Sequence, residues 1–230
     1  MTLLSDAVLW AAVAACGVGA VLWLLRCARV PRSVAFFHPN CLSRGGGEFV
    51  LWAALSKLAR DDPTRTYVVY TRTRVAPEAV ERAIEGAMRD FGLADEQPDL
   101  AAQLARCVRL VHVSTSSLVF RPYGHFTLLL QSLAGVLAGL EALVRFVPDV
   151  FIETTGGGAA FTLPVFRYVG GCARTLAYVH YPTITSKMAS DVAEDRTTAV
   201  CNQRALSPTQ RTWKLRYYRA FERLYRLAGS

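Results

Sequence analysis

Several of the features that mark secreted, metal-dependent or nucleotide-cleaving proteins are missing from this 230-residue chain. Its six cysteines form no C-x-x-C pair and show no Cys/His spacing of zinc type, so neither a disulfide framework nor a structural zinc site is expected. No N-x-S/T sequon occurs, which agrees with reduced thiols in a cytosolic environment. Tandem repeats and low-complexity segments are absent too. No G-x-G-x-x-G is present and no Lys-Ser/Thr follows a glycine run, so the glycines fit neither a dinucleotide fingerprint nor a P-loop. No metal cluster is visible, and no cofactor is expected. Acidic residues are in short supply, 18 against 26 Lys and Arg. The resulting charge of +8 suits an anionic partner. Nucleic acid is not the expected one, because no recognisable module or aromatic-basic platform accompanies the charge. A phosphorylated substrate or an acidic membrane surface remains.

Apolar residues, by contrast, make up 52% of the chain, enough for a substantial core. From Ala7 to Leu25 they run without a charge, just long enough to cross a hydrocarbon core as one helix. Trp10 and Trp23 sit near the two ends of the run, where interfacial indoles are favoured. Asp6 precedes it, and Arg26, Arg29 and Arg32 follow. The positive-inside rule therefore puts the N-terminus in a lumen and the remainder in the cytosol. A cleaved signal peptide would need a basic stretch before the apolar run, and there is none. Residues 1–32 are read as an anchor with a basic flank and residues 33–230 as one domain.

The domain is organised around Phe36 to Leu55. Ser33-Val34-Ala35-Phe36-Phe37 reads as a buried strand. Val50, Leu51, Ala54, Leu55 and Leu58 then recur at helical spacing. Between them stand Gly45, Gly46 and Gly47, flanked by Arg44 and Glu48. A strand, a glycine loop and a helix aim backbone N–H groups and a helix dipole at an anion. Further strands are expected at Arg65–Thr71, Cys107–Val113, Val150–Glu153 and Arg174–His180. Helices are expected from Pro77 to about Phe91, over the apolar stretch Phe126–Phe146, from Ala159, and over the aromatic, arginine-rich tail from Trp213 to Tyr225. Residues from Asp191 to Ser207 read as a polar loop. Phe126–Phe146 has the length of a second span, but Gln131, Gly135, Gly139 and Glu141 interrupt it. A helix packed on a sheet or lying on a bilayer fits better. Apolar strands alternating with helices predict an α/β fold, a Rossmann-like parallel sheet covered on both faces. Ligands in such sheets bind at the carboxyl ends of strands, where three features fall: His38 to Glu48, Gly156 to Gly158, and His180-Tyr181-Pro182.

Taken in order, certain segments resemble the dolichol-pathway α-1,2-mannosyltransferases that use GDP-mannose. They are Val34 to Pro39 with Gly45 to Glu48 and Val50 to Trp52, Tyr67 to Thr71, His125 to Leu129 with Gln131 to Leu133, Val147 to Val150, Ala160 to Pro164, Tyr168 to Cys172, and Tyr178 to Ile184. The resemblance spans about Val34 to Met188. It implies the N-terminal, acceptor-side half of a retaining GT-B glycosyltransferase, anchored in the endoplasmic reticulum membrane with its catalytic side cytosolic. Donor and acceptor would be GDP-mannose and the dolichyl-diphosphate oligosaccharide. It also implies a second, donor-binding domain carrying two glutamates with seven residues between them, and no such pair occurs here. A missing C-terminal domain or partner chain is therefore expected, with an exposed apolar edge near Gly156 and His180. A non-catalytic membrane subunit that holds the acceptor is the alternative. Arg44, Phe49 and Lys187 depart from the family pattern.

The resemblance makes His180 the candidate catalytic residue, hydrogen-bonding the transferred mannose or its attacking hydroxyl. Gly45, Gly46 and Gly47 are candidates for stabilising diphosphate charge. Gly157 and Tyr181 join them as substrate contacts, and His38 as a residue lining the cleft. Glu48 either orients the acceptor or favours the helix N-terminus. His112 and His125 are read as structural, and Glu153 as dispensable as a base in a retaining reaction.

Overall fold

A computed structural model describes residues 2–93, 99–180, 183–194 and 207–229. Helix α1 (Thr2–Cys27) contains the expected apolar run and is exposed from Ala7 onward apart from a few half-buried positions. Strand β1 (Arg29–Phe37) follows at once. Next come α2 (Gly46–Asp61), β2 (Thr66–Thr71), α3 (Val80–Asp90), α4 (Leu100–Cys107) and β3 (Val108–His112). A single turn α5 (Ser116–Val119) leads to the long α6 (Thr127–Arg145) and to β4 (Val147–Glu153). A 3₁₀ turn at Gly157–Phe161, α7 (Thr162–Pro164) and a π-helical turn at Val165–Val169 then lead to β5 (Arg174–Ala177). Helices α8 (Ser186–Ala193) and α9 (Pro208–Gly229) complete the described elements.

All pairings are parallel, in the order β3-β2-β1-β4-β5. Strand residues alternate between two separate cores, as a two-fold side-chain period requires. Val34, Phe36, Tyr67 and Val69 point to the face covered by α2, α3 and α4, through Leu51, Trp52, Leu55, Ile84, Met88 and Leu104. Ala35, Phe37, Val68, Tyr70 and Phe151 point to the other face, against Ala138, Leu143, Leu163 and Phe166. Phe151 and Phe166 stack with ring centroids 3.7 Å apart. The doubly covered sheet is the fold expected from sequence.

Several boundaries differ from the periodicity reading. Helix α2 starts at Gly46, inside the glycine run, because an open N-terminal turn tolerates glycine. The acidic connection before β3 contains α4, which ends at Cys107 and docks Leu100 and Leu104 into the core. The helix expected from Ala159 begins as a 3₁₀ turn at Gly157. Strand β5 ends at Ala177 rather than His180: Tyr178 N–H still reaches Glu153 O at 2.7 Å, and β4 has no further residue to pair. Asp191 is buried within α8 instead of opening a polar loop; the loop's residues 195–206 lie outside the described set.

Helix α6 explains its own mixed sequence. Its small residues, Ser132, Ala134, Gly135, Ala138, Gly139 and Ala142, face inward. A Cβ on Gly135 would overlap the carbonyl oxygen of Gly158, so glycine permits the close approach. Apart from Leu143, which is buried, its leucines are left largely outside, with Leu133 and Leu137 about half exposed.

Candidate functional site

The sheet has its topological switch point between β1 and β4, from which the chain winds outward to β2 and β3 on one side and β5 on the other. The residues just beyond the carboxyl ends of β1, β4 and β5 are His38, Thr154 and, three residues past β5, His180. The order of strands therefore brings together segments more than a hundred residues apart.

The loop leaving β1 is held in a fixed path. His38 N–H bonds Tyr70 O, Arg72 N–H bonds Pro39 O, and the Trp52 indole N–H donates to Cys41 O at 2.7 Å. Arg44 is tied to Asp90 through two 2.7 Å contacts, which turn its charge toward the end of α3. That accounts for an arginine within a glycine loop. Gly45 is the N-cap of α2, so Gly46, Gly47 and Glu48 form its first turn, where N–H groups lack intrahelical acceptors. Glu48 folds back over the cap and fills the space a Gly45 side chain would need. No side chain is near Gly46, whereas a Cβ on Gly47 would lie 3.1 Å from the His180 ring and 3.6 Å from His38 Cε1. A side chain at Gly47 would push the His180 ring aside by a few tenths of an ångström, so glycine lets the helix N-terminus approach both imidazoles undisturbed.

His38 is 5% exposed. Its Nδ1 lies 2.8 Å from Thr154 Oγ1 and its Nε2 lies 3.4 Å from Glu48 Oε1. Burial holds this imidazole below its ordinary range, with Glu48 opposing the effect and His180 adding to it. The neutral ring has one proton, and the facing carboxylate places it on Nε2. Nδ1 then accepts from the Thr154 hydroxyl, while the Thr155 hydroxyl serves Phe37 O at 3.2 Å. His180 sits at the rim, with Nε2 3.0 Å from Thr154 O and its ring edge-on to Tyr178.

The second glycine run plays two parts. Gly156 (φ 74°) and Gly157 (φ 58°) are left-handed, which glycine adopts without strain. The Gly156 N–H is taken by the Glu153 carboxylate at 2.9 Å, so it is engaged within the protein. Gly158 packs against α6, where a Cβ would overlap the carbonyl carbon of Gln131. Burial pushes the Glu153 carboxyl up to about 7, against the pull of the Thr155 and Gly156 N–H donors. Glu153 is thus the clasp of the turn after β4.

The structure gathers His38, Gly45, Gly46, Gly47, Glu48 and His180 around one strand-end cleft. Gly157 is on the turn that follows β4, where an added Cβ would meet open space, and Tyr181 lies outside the described residues. Beside His180, Leu176 and Val179 are more than half exposed, which matches the apolar edge expected there. Among the described residues no group of His, Cys, Asp and Glu is arranged to hold a metal ion. Thr154, which touches both histidines, carries no signal in the sequence: an isolated threonine after a strand is too common to single out.

A family model described as ALG11 mannosyltransferase N-terminus matches residues 31–230. A mouse protein named GDP-Man:Man(3)GlcNAc(2)-PP-Dol alpha-1,2-mannosyltransferase is 43% identical over 202 residues, covering 86% of this chain and 38% of the relative. The human protein of that name is 41% identical over 200 residues, with the same coverage. The one from Caenorhabditis elegans is 38% identical over 205 residues, covering 88% of this chain and 40% of the relative. No solved structure matches. The chain spans about two fifths of the length of these curated relatives.

Proposed function

The chain belongs to the ALG11 mannosyltransferase N-terminus family, and from that premise we propose that it is the acceptor-side domain of an α-1,2-mannosyltransferase. In this reading the protein moves mannose from GDP-mannose to a dolichyl-diphosphate oligosaccharide in the assembly of the N-glycan precursor. The observation that carries the reading is the strand-end cleft, in which the first turn of α2 and two imidazoles meet over glycines that exclude side chains.

The chemistry follows from the parts. Mannosyl transfer from GDP-mannose develops charge on the departing diphosphate. Free N–H groups at Gly46 and Gly47, aligned with the α2 dipole, stabilise negative charge without reorganising. His180, at the rim, hydrogen-bonds a sugar hydroxyl. His38 is buried behind it and holds Glu48, whose carboxylate limits how deeply an anion can enter. A retaining GT-B enzyme binds its donor with a second domain, and the exposed Leu176 and Val179 form the edge against which such a domain or a partner chain closes.

Helix α1, ending at Cys27, serves as a single-pass anchor in the endoplasmic reticulum membrane; the sheet domain in the cytosol starts with β1 at Arg29, a few residues before the boundary expected from the sequence. Helix α1 is long and apolar enough to cross a bilayer. Its end is fixed to the domain by Arg26 donating to Tyr168 O at 3.0 Å, and at the start of β1 Arg29 donates to Gly171 O at 3.1 Å. Helix α6 passes the same length test, but its small-residue face is buried on the sheet, and Leu129, Leu130, Leu133, Leu137 and Leu140 face out. It lies on the same side of the sheet as Leu25 at the base of the anchor. Helix α9 touches its start through Phe126 and Tyr217 and bears Lys214, Arg216, Arg219 and Arg223. Leucines beside a basic helix suit the surface of an anionic bilayer. Hydrogen exchange of the full chain in nanodiscs tests this contact. Protection of α6 and α9 that grows with anionic lipid content supports it, and exchange equal to that in neutral lipid refutes it.

Transfer of labelled mannose by membranes carrying this chain, alone or with a co-expressed C-terminal domain, tests the reaction. Transfer lost on His180→Ala supports the catalytic reading. No transfer under either condition favours a subunit that only holds the acceptor.

A further inference from the structure

One residue, Thr154, addresses both histidines of the cleft. Its hydroxyl lies 2.8 Å from His38 Nδ1 and 3.1 Å from Phe37 O, and its backbone oxygen lies 3.0 Å from His180 Nε2. Thr154 is 4% exposed, at the end of β4, and its N–H reaches Phe37 O at 3.4 Å. Its backbone is therefore fixed by the sheet, and neither imidazole can turn without breaking a contact to it.

The two contacts set two proton positions. A carbonyl oxygen only accepts, so His180 Nε2 must carry a proton, and in the neutral ring Nδ1 is left with its lone pair. The Thr154 hydroxyl has one proton and two acceptors in reach; Phe37 O is also served by the Thr155 hydroxyl at 3.2 Å, so the proton goes to His38 Nδ1 at the shorter 2.8 Å, and the remaining ring proton faces Glu48 through Nε2. Gly47 closes the side of His180 that bears Cε1 and Nε2, since even a Cβ there would come within 3.1 Å of both atoms. That edge of the ring has no room for a ligand.

We propose that Thr154 is a positioning residue for both histidines, and that His180 meets the sugar through Nδ1, as a hydrogen-bond acceptor for a hydroxyl. The assignment rests on the mannosyltransferase reading for the identity of its ligand, but the proton positions stand independently of it. It narrows the role of His180: Nδ1 can take a hydroxyl proton or orient a hydroxyl, and it cannot donate to the departing diphosphate while Nε2 holds the Thr154 carbonyl. Thr154 acts through the rings and touches no reacting atom.

The test is nitrogen NMR of the full chain, labelled with ¹⁵N-histidine in detergent micelles and assigned with His38→Gln and His180→Gln variants. The expected spectrum has both rings in the Nε2–H form. Thr154→Val, which keeps the shape and removes the hydroxyl, moves the His38 Nδ1 resonance and leaves that of His180 in place, because the backbone carbonyl remains. Thr154→Ser restores the His38 signature. In the transfer assay with a C-terminal domain supplied, loss of this one hydrogen bond lowers kcat about tenfold with little change in KM, and the serine variant recovers the loss. His180 protonated on Nδ1 in the wild-type chain overturns the proposal, as does a His38 resonance indifferent to Thr154→Val. Correct tautomers without any mannosyl transfer would contradict the function and leave the positioning assignment standing.

Discussion

Glu153 offers the sharpest quantitative test of the strand-end architecture, and Glu153→Gln is the variant to make. The side chain is almost fully buried, at 1% exposure, and its oxygens accept from the N–H groups of Thr155 and Gly156. Burial raises the carboxyl from an ordinary 4.5 to about 7 despite those donors. The gap between the two values corresponds to roughly 3 kcal/mol at 1.36 kcal/mol per tenfold change in proton affinity. The sign follows from linkage. Between about pH 4.5 and 7 the native state holds a proton that the unfolded chain has released, so stability falls as pH rises through that window. Below it the contribution is fully present, and above it the loss is complete. Glutamine keeps one oxygen for the Thr155 and Gly156 donors and cannot ionise. The variant should therefore lack this pH-dependent loss, matching or trailing the wild type at pH 5 and exceeding it at pH 8, with the difference changing by about 3 kcal/mol. Denaturant unfolding of both proteins in the same mild detergent at the two pH values measures it. A difference that does not change with pH would refute the reasoning. So would a variant less stable than wild type at pH 8, since that would mean the two N–H donors outweigh burial.

Other substitutions probe the packing that carries the site. Gly135→Ala should lower stability by about 3 kcal/mol or more, because the new Cβ meets the fixed carbonyl oxygen of Gly158 rather than a movable side chain; thermal unfolding reads it, and a shift of under a degree would show that α6 slides to make room. Phe166→Ala should cost roughly 3–5 kcal/mol, since the ring is fully buried, stacked on Phe151 and 5.5 Å from Tyr70. Gly47→Ala should leave unfolding nearly unchanged while reducing transfer, because alanine suits the first turn of α2 but its Cβ, 3.1 Å from the His180 ring, must displace that ring by a few tenths of an ångström. Equal activity of this variant and the wild type would separate the His180 ring from the reaction.

The fold was largely legible in the sequence for a physical reason. A sheet covered on both faces needs apolar residues at every strand position, and runs such as Ala35-Phe36-Phe37 and Val68-Val69-Tyr70 announce it. Helices were legible where one face is apolar, and misplaced where that pattern fails. The segment at Leu100–Cys107 is short and follows acidic residues, so no helix was expected there, although Leu100 and Leu104 are buried. Helix α6 largely inverts the usual rule: glycine and alanine are inside, most leucines other than Leu143 are outside, and the close approach to Gly158 shows why. At the site, glycines and histidines were visible as types of residue, and the switch point explained why they meet. What no pattern revealed was Thr154, since its role comes from two contacts across the sheet and not from its neighbours in sequence. Arg44 likewise read only as a departure from the family pattern until its pairing with Asp90 showed where its charge goes.

The central claim is that this strand-end cleft handles a mannosyl group, and its most direct measurement is transfer of labelled mannose from GDP-mannose to a dolichyl-diphosphate-linked trimannosyl acceptor. Membranes should contain the chain together with the C-terminal region of the mouse relative, and parallel preparations should carry His180→Ala. The account predicts transfer with the wild-type chain and a loss of at least about a hundredfold with the variant, as expected when a residue engaged in general acid–base or hydroxyl-orienting chemistry is removed. Transfer undiminished by His180→Ala would contradict it.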